Sequence, residues 1–423
     1  MRLGDQFRGN SSNLLTRRCA KLHLPIALLF ASLGLAGNSG GSELTGSPCS
    51  GIPISETPET VTAKLSKVDP GLSVTQITNS GFNWNTYADI PAYSNAAKIL
   101  VFNHGNRPAA VASANVDGSH AQVISGTHQG TQVQVTGDGQ FAYYQGQNPD
   151  GSADIYLVPL TEGGACRQIR LSNLHMRPEP PAGALIISNS TMDRASHHNV
   201  IAFSEGSNLH RVLDDGTALQ DLKMPDRQSA QIFHRIRLNP VFPNIVCFKR
   251  DMPLPNPNGV ALPEIWVVDL NAPNTAYSVT GSVPADHASW SNDGTKLGYI
   301  YNGLWWVADV LKADGSFDLN PDGRFTLSRL GPAGWNHYTV NFCNLAPDTS
   351  VYVCSERNQA IYLMSLDGTR TRFLASPDSS PTGAIFNGIP KPRFLDKQHI
   401  VFSSDRTGTP EVYVISGFSS AFP

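Results

Sequence analysis

Three histidines and a lysine occupy matching places in this sequence: His234 ahead of Ile236 and Pro240, His287 ahead of Trp290, His337 ahead of Val340, and Lys391 ahead of Phe394. An imidazole titrates near neutrality, so it can carry a proton or ligate a metal. A lysine ammonium is a fixed cation suited to holding a carboxylate. Each of the four stands just before a short apolar strand, so a repeating architecture would bring them towards one end of a common axis. Strand starts and loops at such an end are where a ring of repeats carries its site. The competing reading is structural, because a histidine at a strand start also links strands by hydrogen bonds. Trp335 and Tyr338, beside His337, are candidates for stacking on sugar rings. The pair His197-His198 falls in a loop, where two exposed side chains are a simpler reading than a metal site. The sequence contains no Gly-rich phosphate loop, nucleophile elbow or zinc-spaced Cys/His set.

The elements that must position these residues recur along the chain. The unit is a short apolar strand, an Asp-Gly or similar turn, a second apolar strand, a polar loop, and a third strand of alternating apolar residues. Its clearest copy runs from Arg393 to Ile415; others run from Ala288 to Tyr301 with Leu304–Val307, and from Val133 to Tyr144 with Asp154–Val158. Weaker copies start near Tyr93, Asn199, Ile236 and Val340. The copies make seven units spaced by roughly 45 residues, within the propeller range. Period-two alternation is the mark of antiparallel strands, and no stretch of the body keeps a helical period. A lone sheet cannot cover its own faces, but neighbours packed in a ring can. The expected fold is therefore all-β, a seven-bladed β-propeller of four-stranded antiparallel blades over residues 67–418. Leu72–Thr78, a strand without a unit of its own, is expected to supply the outer strand of the last blade.

The chain has 423 residues, 40% of them hydrophobic, which suffices for a large core. Charged residues are only 15%, against about 25% in typical soluble domains, while Gly (37) and Pro (30) are plentiful, as many tight turns require. With a net charge of −3 and no basic block in the body, nothing points to nucleic acid. Arg17, Arg18 and Lys21 precede the apolar run Leu24–Ala36, which ends in small residues; residues 1–37 read as an export signal, with an uncleaved anchor as the alternative. After cleavage no membrane span is expected, and the location would be secreted or periplasmic. Residues 38–66, rich in Gly, Ser, Thr and Pro, read as a flexible tether. Cys343 and Cys354 flank the turn 346–350 almost symmetrically, so a hairpin would place them opposite each other, as a disulfide or as two buried thiols. Cys49, Cys166 and Cys247 offer no pairing argument.

Several segments resemble the oligogalacturonate lyase family, seven-bladed propellers that cleave uronate oligosaccharides by β-elimination. The resemblance runs from about Asp69 to Ile415. Val74-Thr-Gln-Ile-Thr78 is similar to that family's opening strand. His234-Arg-Ile-Arg-Leu-Asn-Pro240 resembles its His-Pro-x-x-x-Pro segment, Asp286-His287-Ala-Ser-Trp290-Ser-Asn-Asp-Gly294 its Thr-His-Glu-Phe-Trp-x-x-Asp-Gly segment, and Asn336-His337-Tyr-Thr-Val-Asn341 its Ser-His-Leu-Met-Ser-Asn segment. The resemblance implies a metal-binding role for His287, a proton-abstracting role for His234, and substrate contacts from Arg211 and Asn341. It also implies where this chain departs. In place of the family's Gln-x-x-His-x-His cluster stands Phe386-Asn-Gly-Ile389-Pro-Lys391, whose side chains at the three ligand positions cannot coordinate a cation. In place of Cys-His-Glu-Gly stands Phe248-Lys249-Arg250-Asp251.

Elimination next to a carboxylate needs that carboxylate neutralised and a base to take the adjacent proton. A fixed ammonium can replace a metal in the first task, so Lys391 is the expected cation and His234 or His337 the expected base; the bland alternative makes Lys391 a solvated rim residue. A divalent metal is disfavoured, and no other cofactor is indicated. The expected partner is an acidic oligosaccharide or polysaccharide. A non-catalytic propeller similar to the TolB type, binding a protein or a glycan through the same face, is the alternative.

Overall fold

When both parities of an alternating strand are apolar, its sheet must be covered on both faces, and that requirement builds this molecule. The computed structural model describes residues 48–85, 90–105, 109–126, 129–148, 152–161, 163–171, 185–205, 208–222, 233–252, 262–273, 275–281, 283–330, 340–348, 350–356, 360–380 and 388–419. The expected export signal, the first part of the expected tether, and Trp335, His337 and Tyr338 lie outside these residues. Seven antiparallel sheets, the blades, follow one another along the chain. Blade 1 holds Tyr93–Ser94, Ile99–His104, Ala110–Ala114 and Gln122–Val123, with Asn83–Trp84 also paired to its second strand; blade 2 holds Gln129–Val135, Phe141–Gln147, Ala153–Pro159 and Ile169–Arg170. Blade 3 comprises Leu185–Asp193, His198–Glu205, Asn208–Leu213 and Gln220–Leu222, and blade 4 Phe233–Leu238, Ile245–Met252, Leu262–Asp269 and Ala276–Ser278. Blade 5 comprises Asp286–Trp290, Lys296–Tyr301, Leu304–Asp309 and Thr326–Leu330, and blade 6 Phe342–Leu345, Val351–Glu356, Ala360–Ser365 and Thr371–Ala375. Blade 7 is Arg393–Phe394, His399–Ser404 and Glu411–Ser416, and Ser73–Gln76 lies antiparallel against the last of these.

The core closes this series into a ring. Seven clusters of buried apolar side chains occur among the described residues, and each joins one pair of neighbouring blades: 1 with 2, 2 with 3, 3 with 4, 4 with 5, 5 with 6, 6 with 7, and 7 with 1. Single strands show how alternation does this. Ile99 and Val101 pack towards blade 2, while Leu100 and Phe102 pack towards blade 7. Val351 and Val353 face blade 7, while Tyr352 and Cys354 face blade 5. Adjacent aromatics on one strand can therefore both be useful. Trp305 is buried between blades 5 and 6, and its neighbour Trp306 packs on the cluster between blades 4 and 5. The first strands of successive blades meet one another, so they line the axis.

Asp-Gly turns join many of the strands. In each, the glycine takes a positive φ, as Gly368 does at 69°, which a residue with a Cβ rarely adopts. The carboxylate closes the turn by accepting a nearby hydroxyl and N–H; Asp215, for example, accepts from Thr217 N at 2.8 Å and Thr217 Oγ1 at 2.6 Å. Hydroxyl hydrogen bonds of this kind hold Asp117, Asp215, Asp314, Asp348 and Asp367 below the usual carboxylate range, Asp367 at about 2. A lowered folded-state pKa contributes stability that is present above the unfolded value of about 3.9 and lost as pH falls through the folded values. Thermal melts followed by circular dichroism should therefore hold steady down to about pH 4 and decline from there to about pH 2; a midpoint that ignores pH in that window would count against these turns as stabilising elements.

The tether expectation fails for its described part, Pro48–Ser66, which is a belt on the outside of the ring. Cys49 is disulfide-bonded to Cys166 after the third strand of blade 2, with a Cα separation of 5.0 Å. Ile52–Pro53 pairs with the outer strand of blade 1. Glu56 accepts hydrogen bonds from Asn79 N at 2.5 Å and Ser80 N at 2.9 Å. Glu59–Thr60 pairs with Ser73–Gln76 of blade 7, and beyond it Val68 bridges to Ala375 of blade 6. Composition signalled flexibility, but the few apolar side chains are used, Val61 and Leu65 being buried in the cluster between blades 6 and 7, and backbone pairing at exposed sheet edges supplies the rest. The second disulfide joins Cys343 to Cys354, which face each other across the first hairpin of blade 6 at a Cα separation of 4.1 Å. Cys247 is buried and free. Among the described residues no helix is long and apolar enough to cross a membrane.

Candidate functional site

Hydrogen bonding at the inner hairpins gives the true phase of each unit. In blades 2, 4, 5, 6 and 7, the N–H groups of Thr136, Asn239, Ser291, Ala346 and Leu395 donate to the first carbonyl of the next strand. Four residues before these anchors stand Gln132, Arg235, His287, Phe342 and Lys391. His287 and Lys391 are thus equivalent, but the blade 4 member of the set is Arg235 and not His234. His234 matches Asp286, one residue earlier. In blade 6 the position belongs to Phe342, five residues after His337. The reason is the choice of landmark: counted from the anchors, Ile236 matches Ala288 and Leu238 matches Trp290. In blades 2, 4 and 5 the inner strand also carries a β-bulge, two of its residues opposing one of its neighbour at 132–133, 235–236 and 287–288. The first residue of each bulge has positive φ, 57° at Gln132, 50° at Arg235 and 55° at His287. Such backbone is strained for non-glycine residues, and bulges re-aim side chains, often beside functional sites.

Arg235 and His287 meet across the seam between blades 4 and 5. Arg235 Nη1 lies 2.8 Å from His287 Nδ1. Its Nε lies 2.6 Å from Asp286 Oδ1, and Lys249 Nζ lies 3.4 Å from Asp286 Oδ2. The N–H of His287 donates to Asp286 Oδ1 at 2.8 Å. The His287 ring also stands edge-on to Phe342, centroid to centroid 4.2 Å. All four polar side chains are partly buried, with 15–33% of their surface exposed. Burial works to raise the Asp286 carboxyl, but the Arg235 and Lys249 cations and the hydrogen bond from the His287 N–H outweigh it and hold the group below the usual range. Two cationic side chains thus lie against the Asp286 carboxylate. The backbone of His234 lies directly opposite Lys249.

Lys391 is buried, with 2% of its surface exposed, which overturns the solvated-rim alternative. Its carbonyl accepts from Asn85 Nδ2 at 3.0 Å, and the preceding Pro390 carbonyl accepts from Ser355 Oγ at 3.1 Å. Asn341 leads into the inner strand of blade 6 and donates its N–H to Ser355 O. Arg211 is not brought to this group. It sits on the third strand of blade 3, opposite Ala202, and its charge adds to the hydrogen bonds, first from Ala195 N–H, that hold Asp193 below the usual range. Asp193 ends its inner strand, whereas the Arg235–His287 group lies near strand starts. His198 of the loop pair contacts Asp214 at 2.8 Å and Asp215 at 3.6 Å. Arg235 and Lys249 are the residues missed as site members. Their signal was a run of basic side chains, His234, Arg235 and Arg237 on one strand and Lys249 and Arg250 on the next.

The resemblance implies a metal at His287, and the donor set does not fit one. A guanidinium has N–H donors and no acceptor, so His287 Nδ1 must be the acceptor. The neutral ring then carries its proton on Nε2, and neither nitrogen offers a lone pair. Two fixed cations next to it also oppose a third. Among the described residues no three His, Cys, Asp or Glu side chains are grouped to hold an ion.

No protein-family model matches this chain, and neither does any curated protein. Solved structures do. An oligogalacturonate lyase from Vibrio parahaemolyticus superposes with a TM-score of 0.60 at 14% identity, covering 87% of this chain and 98% of its own. An oligogalacturonate lyase in complex with manganese gives 0.61 at 16% identity, covering 88% and 99%. TolB from Acinetobacter baumannii superposes more loosely, at 0.42 with 15% identity over 66% of this chain and 64% of its own, and carries no argument. At these identities the likeness shows the fold alone: this chain is a seven-bladed β-propeller similar in architecture to the oligogalacturonate lyases.

Proposed function

We propose that this protein is an exported propeller that binds a uronate-containing glycan near its inner-strand starts and cleaves it by β-elimination. The observation that carries the reading is the pair of cationic side chains, Arg235 and Lys249, gathered on Asp286 at the seam between blades 4 and 5. A uronate carboxylate placed beside such cations is neutralised, which acidifies the proton on the adjacent ring carbon. A base takes that proton, the electron pair forms the ring double bond, and the glycosidic oxygen leaves with a proton. His234 or His337 is the base in this scheme, Lys391 a further cation, and Trp335, Tyr338 and Asn341 hold the sugars. The two disulfides support export, since such bonds persist in oxidising compartments.

The test is to incubate the purified protein with a panel of uronic-acid polymers and record the ultraviolet absorbance of unsaturated product, with and without chelator. Product that survives chelation is the expected result. A panel without product, with retention in affinity electrophoresis, would replace the lyase by the non-catalytic binding module. The engaged Nδ1 of His287 is what favours that second reading.

A further inference from the structure

We infer that Arg235 is a positioning residue which converts His287 from a potential metal ligand into a fixed hydrogen-bond donor. The deduction uses chemistry rather than likeness. Arg235 remains charged at any relevant pH and can only donate, so the contact at 2.8 Å is possible only with the Nδ1 lone pair pointing at Nη1. The neutral imidazole is thereby fixed as the Nε2–H tautomer. Three further features hold the pair in register. Both residues occupy the first position of a β-bulge, with φ of 50° and 55°, on first strands that pack against each other. Asp286 ties them together, accepting from the Arg235 side chain and from the His287 backbone N–H. Phe342 closes one side of the ring edge-on. Nε2 lies 3.9 Å from Asp286 Oδ2, so its N–H adds a neutral donor to the two cations gathered around a carboxylate, the set that a ligand carboxylate would also accept from. In its ligand, though not in its tautomer, this role rests on the function proposed for the site.

The experiment is nitrogen-15 NMR of the histidine rings in the full chain, alone and with millimolar manganese. The wild-type His287 ring should show the Nε2–H pattern and be neither shifted nor broadened by the ion. Arg235→Met keeps side-chain bulk and removes the donor. It should give a mixed tautomer and sensitivity to manganese, and Arg235→Lys, which restores a donor, should recover the wild-type signal. Affinity for trigalacturonate should fall about tenfold in Arg235→Met, the scale of one charge-assisted hydrogen bond. An Nδ1–H ring or manganese broadening in the wild type would overturn the inference, as would an Arg235→Met ring that keeps its tautomer. Failure of the absorbance assay would remove the lyase and leave the tautomer result standing, so the two claims fail separately.

Discussion

Cys49→Ser combined with Cys166→Ser should lower the stability of the propeller by about 5 kcal/mol, the largest loss expected from any pair of conservative changes here. The bond closes a loop of 117 residues, so in the chain-entropy description its removal releases far more unfolded-state freedom than most cross-links restrain. The companion bond, Cys343–Cys354, spans 11 residues, for which the same description gives about 3 kcal/mol. The difference has a structural side as well. Cys343 and Cys354 are opposed within a hairpin whose backbone bonds hold them together. Cys49 belongs to a segment bridged at one point, where Ser50 N donates to Gly164 O at 2.6 Å and Cys166 N to Ser50 O at 3.1 Å. Denaturant titration of the two double variants measures both losses. Hydrogen exchange should locate the first in residues 48–54, with the inner strands still protected. A smaller loss for Cys49/Cys166 than for Cys343/Cys354 would contradict the belt as a clamp.

Lys391→Met should reduce turnover on a uronate polymer by about 10²- to 10³-fold, the usual consequence of removing one preorganised charge from a developing anion. Methionine is the informative replacement because the side chain is almost wholly buried. Lys391→Ala would also empty a volume inside the ring and lose stability for reasons unrelated to charge. Arg235→Lys, which keeps a cation, should retain more activity than Lys391→Met. Product formation measured beside melting temperature separates chemistry from folding. A Lys391→Met protein with wild-type turnover would remove Lys391 from the mechanism.

The architecture was legible because it is repeated. Any one alternating strand is ambiguous, but seven copies with Asp-Gly turns at the same phase leave little room for another fold. The paired apolar parities at Ile99–Phe102 or Val351–Cys354 even state that both faces are covered. What escaped was whatever departs from the period. Neighbouring apolar residues are poor landmarks, Ile236 matching Ala288 and not Trp290, so His234 passed for the equivalent of His287 when the equivalent is Arg235. The Cys49–Cys166 bond joins segments with no common motif and no turn between them. The belt looked like a tether because its seat is made of backbone edge pairing and a few buried residues such as Val61 and Leu65, too few to mark its composition. The site was half visible: His287 and Lys391 could be picked by phase, whereas Arg235 and Lys249 matter through a carboxylate on another blade.

The belt has a consequence for how the molecule is made. Its residues are synthesised before any blade, yet it runs against blade order, touching blade 2, then 1, then 7, then 6. The strand that follows it, Ser73–Gln76, waits for Glu411–Ser416. The earliest part of the body therefore finds its seat only after nearly the last has emerged. Final closure involves contacts of very high sequence separation, which form slowly and leave sheet edges open meanwhile. A nascent chain cannot finish this ring from its beginning.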